Sequence, residues 1–317
     1  MRIDVHAHLW TDGYLDLLQR LGKTDTATQR RRGAGPADDE IAGRFALMDR
    51  AGVDLQILST PPQVPHFERR DDAVAAARAA NDSYAEVVGR WPTRFRAFAS
   101  LPLPHVDDCL REIERALDQQ RLAGVAITTS ILGRSVADRT FTPIYEELNR
   151  RGAVLYVHPE GCGGRTPLIR DHHMTWMVGA PLEDTIAVAH MIVYGIPSRF
   201  PQLRIINSHL GGALPMLLQR LDNQYRWEAP DTPELPSLAA RRMWYDTVAH
   251  AHAPALRAAV DGLGADRIVL GTDFPYEPGA LFQRAVDYVR SAGLAPADAA
   301  RILDVNAAEI FGFPPTH

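Results

Sequence analysis

The chain is nearly without lysine. Lys23 is the only one, and every other basic residue apart from histidine is an arginine. A Schiff-base mechanism or a P-loop lysine therefore has a single candidate, in a polar stretch with no fitting motif. Cysteine is almost as scarce: Cys109 and Cys162 stand far apart in the sequence. Two isolated thiols make no disulfide framework, and a reduced, cytoplasmic protein is expected. No apolar run approaches the roughly 20 residues of a membrane span. No leader precedes the first strand-like run, so no signal peptide is expected. The net charge is −5 and the longest basic block is Arg30-Arg31-Arg32, which excludes a nucleic-acid footprint. The first strand-like run is followed by no glycine-rich phosphate fingerprint. Neither a short-period repeat nor an inter-domain linker is present.

What remains is an ordinary globular composition, 46% hydrophobic and 23% charged over 317 residues. That length suits two small domains or one α/β barrel. The core it can bury is large enough to need no metal for stability, so a metal here would serve chemistry.

The first strand-like run, Ile3-Asp4-Val5-His6-Ala7-His8-Leu9, ends in two histidines one residue apart. Strand side chains alternate faces, so His6 and His8 share one. Two imidazoles at a strand's end can bind one metal ion, or can simply be half-exposed surface residues. Seven more strand-like runs follow, at 53–58, 95–101, 124–128, 153–157, 203–208, 243–248 and 267–272. Helical patterns separate them, at 39–51, 71–90, 106–120, 142–151, 183–194, 213–226 and 254–263, and two more close the chain at 279–292 and 296–311. Segment 11–39 reads as a loop insertion with a short helix near 14–21. Eight strand–helix units predict a parallel sheet closed into a (β/α)8 TIM barrel, one α/β domain over 1–317.

In such a barrel the C-terminal strand ends share one mouth. The first strand delivers His6 and His8, the fifth His158, the sixth His209 and the eighth Asp273. Four histidines and a carboxylate at one rim are a metal-site inventory, and nitrogen ligands favour zinc.

The segments IDVHAHLW, LMDRAGVDLQILSTPP, LYVHPEG, TWMVGAPLEDTIAVAHMI, IINSHLGGALPMLLQR, WYDTV and IVLGTDFPY occur in that order. Together they resemble the amidohydrolase superfamily, the metal-dependent hydrolase type of barrel, and within it the aminocarboxymuconate-semialdehyde decarboxylase-like branch. The run from LPLPHVDD to ELNRRGAVLYVHP is similar to the 6-methylsalicylate-type aryl decarboxylases. The resemblance implies one divalent metal, zinc first and manganese as the alternative, held by His6, His8, His158 and Asp273, with no organic cofactor. Asp273 would be a ligand alone, or would also orient or deprotonate a bound water. His209 would be the catalytic acid/base. Arg220 would reach a substrate carboxylate across a homodimer interface, for which a planar guanidinium is suited; the alternative is an ordinary surface arginine.

Two departures matter. The fourth strand ends Ile127-Thr128-Thr129-Ser130, with no lysine to carboxylate, so a lysine-bridged two-metal site is not expected. The segment after the first strand lacks an obvious match to the arginine that relatives place there; Arg30, Arg31 or Arg32 either substitutes for it or, the stronger reading, belongs to a solvated run, and this counts against a dicarboxylate semialdehyde substrate. Trp176, with His172 and His173, lies on the 161–177 loop, where it stacks on a flat substrate or closes the loop onto the barrel. Phe274 and Tyr276 follow Asp273 and are expected to line the pocket. Asp246 is expected to support hydrogen bonding inside the barrel. The remaining histidines read as structural or exposed, and Cys162 lacks a matching base. The expected activity is metal-dependent, non-oxidative decarboxylation of a small aromatic or unsaturated carboxylic acid, with a metal-dependent hydrolase of a lactone, amide or C–C bond as the alternative. The expected partners are that small acid and a second copy of the chain, not nucleic acid or a membrane.

Overall fold

The computed structural model describes residues 1–313; residues 314–317, the end of the expected domain, lie outside the described residues. Eight strands form the barrel: β1 (Ile3–His8), β2 (Leu55–Ser59), β3 (Phe95–Ser100), β4 (Gly124–Thr128), β5 (Val154–His158), β6 (Arg204–Asn207), β7 (Trp244–Asp246) and β8 (Ile268–Val269). Each pairs in parallel with the next in chain order. The segment after β8 returns to β1 and closes the ring. Val5 N–H donates to Leu270 O at 2.9 Å, Asp273 N–H to His6 O at 2.9 Å and His8 N–H to Phe274 O at 2.7 Å.

The helices of six or more residues are α1 (Asp12–Arg20), α2 (Asp38–Ala51), α3 (Arg70–Arg90), α4 (Val106–Glu114), α5 (Thr142–Arg150), α6 (Ala180–Val193), α7 (Leu214–Glu228), α8 (Ala253–Leu263), α9 (Ala280–Ser291), α10 (Pro296–Asp304) and α11 (Asn306–Phe311). Punctuation explains most boundaries. α2 stops where Gly52 turns left-handed, at φ 65°. α5, α6, α7, α8 and α10 carry proline in the first turn, where the missing N–H costs nothing. Among the described residues no helix is long and apolar enough to cross a membrane.

Three expectations change. The helix predicted over 106–120 ends at Glu114 and continues as a π turn over Arg115–Gln119. The closing helix breaks at Val305, whose φ of −120° is not helical. The last strand is short, because residues 270–274 leave the ladder on their way to β1.

The core has two layers. Leu58, Ala97, Val125, Leu155 and Ile205 face the helices. Val5, Ile57, Phe98, Ala126, Tyr156, Ile206 and Val269 fill the lumen, and Ala307, Ala308 and Ile310 of α11 plug its lower end. Parity then carries each strand upward to the mouth: Ala126 to Thr128, Tyr156 to His158, Val269 to Asp273. β1 is the exception. Ile3 and Val5 pack in the lumen, yet Ala7 packs outward. A register irregularity between Asp4 and Ala7 resets the phase. His6 and His8 therefore turn inward just above Val5.

Candidate metal centre

The structure brings His6, His8, His158 and Asp273 together. One donor atom from each lies within 4.8 Å of the others. The His6 ring centroid is 5.1 Å from His8 and 5.0 Å from His158, and His8 is 5.0 Å from His158. His6 and His8 side chains are fully buried, whereas Asp273 keeps 11% and His209 16% exposure, which defines the open side.

Each histidine is oriented by its far nitrogen. His6 Nδ1 donates to Asp246 Oδ2 at 2.8 Å. His158 Nδ1 donates to Pro159 O at 2.9 Å. His8 Nδ1 meets Ser59 Oγ at 3.2 Å, and its ring stacks on Trp10 at 5.5 Å. These contacts turn Nε2 of all three rings toward the centre, where His8 Nε2 meets Asp273 Oδ1 at 3.3 Å. His6 Nε2 lies 3.1 Å from Asp273 Oδ1 yet makes no hydrogen bond of acceptable angle. Three ring nitrogens and a carboxylate oxygen thus converge on one point. The donor set fits a divalent metal.

Charge is distributed unevenly. Burial opposes a proton on His6, but Asp246 and Asp273 outweigh it and lift the group to about 9. Burial dominates at His8 and takes it to about 4. Burial and the neighbouring imidazoles push His158 well below the usual range. Burial works against the Asp273 carboxylate, yet His6 and the hydrogen bonds around it hold it well below its ordinary value.

His209 stands beside this cluster, 5.1 Å from His6 by ring centroids. Its Nδ1 donates to Asp184 Oδ2 at 2.9 Å, and its backbone N–H to Asp246 Oδ1 at 3.0 Å. Nε2 lies 4.0 Å from Asp273 Oδ2. Burial disfavours the imidazolium, but Asp184 and Asp273 raise the group well above its ordinary value. His209 and Leu210 sit at φ 52° and 57°, and Asp273 at 58°. Left-handed backbone at non-glycine residues is strained and concentrates at functional sites.

Other expected residues fall elsewhere. Phe274 is 3% exposed and packs in the layer between barrel and helices, edge-on to Phe282 and 4.6 Å beneath the Arg44 guanidinium. It faces away from the mouth and is a core residue, which corrects its expected place in the pocket. Tyr276 does approach the site, 5.5 Å from the His8 ring. Arg32 is exposed but lies 5.4 Å over the Tyr276 ring. Trp176 is 54% exposed and its ring lies against Gly161, where any Cβ would collide. Arg220 is exposed on α7, and His172 and His173 are exposed on their loop. Asp246 accepts from His6, Tyr156, His209 and Val248.

Two carboxylates gave no strand-end signal. Asp184 and Glu183 sit in the first turns of α6, 2% and 4% exposed. Glu183 accepts from the backbone N–H of Gly161, Gly163 and Gly164, at 3.0, 2.7 and 3.3 Å, and pins the loop after β5. The only cue was their place in the segment PLEDT.

A family model described as Amidohydrolase matches residues 3–313. The chain belongs to the amidohydrolase family. It is 30% identical to the 6-methylsalicylic acid decarboxylase of Penicillium expansum, over 98% of this chain and 96% of that protein. It is 26% identical to the 2-amino-3-carboxymuconate-6-semialdehyde decarboxylase of Dictyostelium discoideum, over 99% and 92%. Among solved structures, 5-carboxyvanillate decarboxylase from Sphingomonas paucimobilis superposes with a TM-score of 0.84 at 28% identity, over 99% of both chains. A dihydroxybenzoic acid decarboxylase from Polaromonas sp., with bound manganese and the inhibitor 2-nitroresorcinol, superposes with a TM-score of 0.83 at 26% identity, over 98% of this chain and 96% of that one.

Proposed function

We propose that this protein is a metal-dependent, non-oxidative decarboxylase of a small aromatic or unsaturated carboxylic acid. The observation that carries the reading is the pairing of a three-histidine, one-carboxylate cluster with His209 beside it. The named relatives are all decarboxylases, which favours loss of CO₂ over hydrolysis.

In this reading His6, His8, His158 and Asp273 hold one divalent ion. Zinc suits the nitrogen-rich set, and manganese is the ion bound in the Polaromonas neighbour. When bound, the ion supplies Lewis acidity to a substrate oxygen and anchors the acid at the mouth. Asp184 holds the Nδ1 proton of His209, so Nε2 faces the substrate. His209 gives its Nε2 proton to the carbon that carries the carboxylate, and the carbon–carbon bond then breaks. Its electron pair returns to the ring system, CO₂ departs, and His209 recovers a proton from water. Asp273 keeps its charge throughout.

We infer a homodimer as well, with Arg220 serving a substrate carboxylate in the second copy. In its support, neighbouring elements around α6 and α7 expose Leu168, Met177, Ile186, Met216 and Trp227, apolar surface of the kind a second copy covers. The two free cysteines suit a reducing, cytoplasmic setting, and we read residues 1–317 as one domain. The test is CO₂ release from a panel of hydroxybenzoates by the metal-loaded protein. Release that disappears on chelation supports the reading. Oxygen-18 from water appearing in the products of a lactone, an amide or a cleavable C–C substrate, with no CO₂ released, would instead make it a hydrolase.

A further inference from the structure

His66 lies in the loop after β2 and is 3% exposed. Its Nδ1 meets Thr128 Oγ1 at 3.4 Å, and the Thr128 hydroxyl donates to Ser130 O at 2.6 Å. The threonine proton is therefore spent, so the imidazole proton belongs on Nδ1. His66 Nε2 is left as a bare acceptor, buried and without a partner. Buried acceptors without a donor are uncommon and ask for an explanation.

Its position supplies one. Thr128 ends β4 on the lumen side and is the register partner of the metal-site residue His158 on β5. His66 thus stands at the β4–β5 side of the mouth. Lys23 is nearby, brought there by the insertion after β1. Its ammonium lies 5.4 Å over the Phe67 ring and makes no ion pair among the described residues. The two carboxylates whose field it feels are engaged elsewhere: Asp25 accepts from Gln63 at 3.0 Å, and Glu160 pairs with Arg165 at 3.3 Å. Burial, and then the Lys23 charge, hold His66 at about 3, so its ring stays neutral and Nε2 accepts but cannot donate.

We propose that His66 and Lys23 form the substrate-selecting side of the mouth: His66 Nε2 accepts a hydrogen bond from a ring hydroxyl of the substrate, and the Lys23 ammonium attracts an anionic oxygen of the same molecule. This rests on the decarboxylase reading and narrows it to hydroxyl-bearing aryl acids. A buried acceptor that needs a donor discriminates strongly against a ligand whose hydroxyl is capped.

The test is calorimetric binding to the manganese-loaded protein, with 2,6-dihydroxybenzoate and 2,6-dimethoxybenzoate as probes and CO₂ release followed in parallel. The wild type is expected to prefer the free hydroxyl by about tenfold or more. His66→Leu should level the two probes, and His66→Asn, whose amide oxygen still accepts, should restore part of the preference. Lys23→Met should weaken both probes by a similar factor and leave the preference intact. Metal content per chain checks that each variant is folded. If His66→Leu retains the wild-type preference, or Lys23→Met leaves both affinities unchanged, the inference is overturned. Levelled binding without CO₂ release would uphold this subsite and count against decarboxylation alone. If neither probe binds the loaded wild type, this inference is overturned, while the decarboxylase reading stands or falls on CO₂ release from the wider panel.

Discussion

His6 and His209 are each tied by a carboxylate on the far nitrogen, but to different ends. Asp246 orients the His6 ring toward the cluster, and the same carboxylate, with Asp273, holds a proton on the metal-free ring up to about pH 9. Metal binding must displace that proton. Metal uptake at pH 7 should therefore release about one proton per ion from His6 and tighten as pH rises toward 9; titrations in buffers of different ionisation enthalpy read this directly. Asp184 instead raises His209, so the imidazolium persists at neutral pH. Activity that needs this acid holds at low pH and falls as pH rises through the His209 value. Asp184→Asn removes the main raising charge, so the alkaline limb of kcat should move to lower pH; an unmoved limb would exclude His209 as the acid. His209→Asn should lower kcat by about 10²–10⁴-fold while the metal stays bound. At this scale the alternation of His6 and His8 was legible in seven residues. The Asp184–His209 contact was not, because a carboxylate early in a helix looks like any solvated one until tertiary packing buries it.

The elements were legible where punctuation is local and obscure where pairing decides. Proline and glycine marked most helix ends. The phase reset in β1 left no trace in composition, since it arises from pairing with β2, yet it is what turns His6 inward above Val5. The same limit explains Phe274. Adjacent to Asp273, it was expected at the pocket, but the left-handed turn at Asp273 sends the two side chains to opposite sides. The turn after β6 shows how much geometry a short motif can hold. His209, Leu210, Gly211 and Gly212 all have positive φ, and a Cβ on Gly212 would come within 2.0 Å of Pro181 O. Gly212→Ala should destabilise the fold by about 1–3 kcal/mol and displace His209. Thermal melting together with kcat checks both effects.

On the scale of the whole molecule, eight alternating units were enough to predict a closed barrel, because parallel strands joined by helices have few other compact solutions. The plug was not foreseen. α11 caps the lumen from below, Asn306 Nδ2 donates to Ile268 O at 2.6 Å, and Ile310 is 3% exposed in the lumen cluster. Ile310→Ala should cost about 2–5 kcal/mol of stability, read as a lower denaturation midpoint, with metal stoichiometry unchanged at the opposite end. Behind β1 a buried chain from Asp4 through Gln56 to Arg44 ties β1 to β2, α2 and the segment after β8. Gln56 donates to Asp4 at 2.7 Å, Arg44 donates to Gln56 at 2.6 Å and to His8 O at 2.9 Å, and Asp4 accepts from Thr272 Oγ1 at 2.6 Å. The same network thus touches both the segment that closes the barrel and the strand that carries His6 and His8.

The cluster of His6, His8, His158 and Asp273 makes a single prediction about composition. Elemental analysis of the purified protein, with Asp273→Ala beside it, should find about one divalent zinc or manganese per wild-type chain and a deep loss in the variant. Two metals per chain, or none even after reconstitution with either ion, would contradict the centre built on His6, His8, His158 and Asp273.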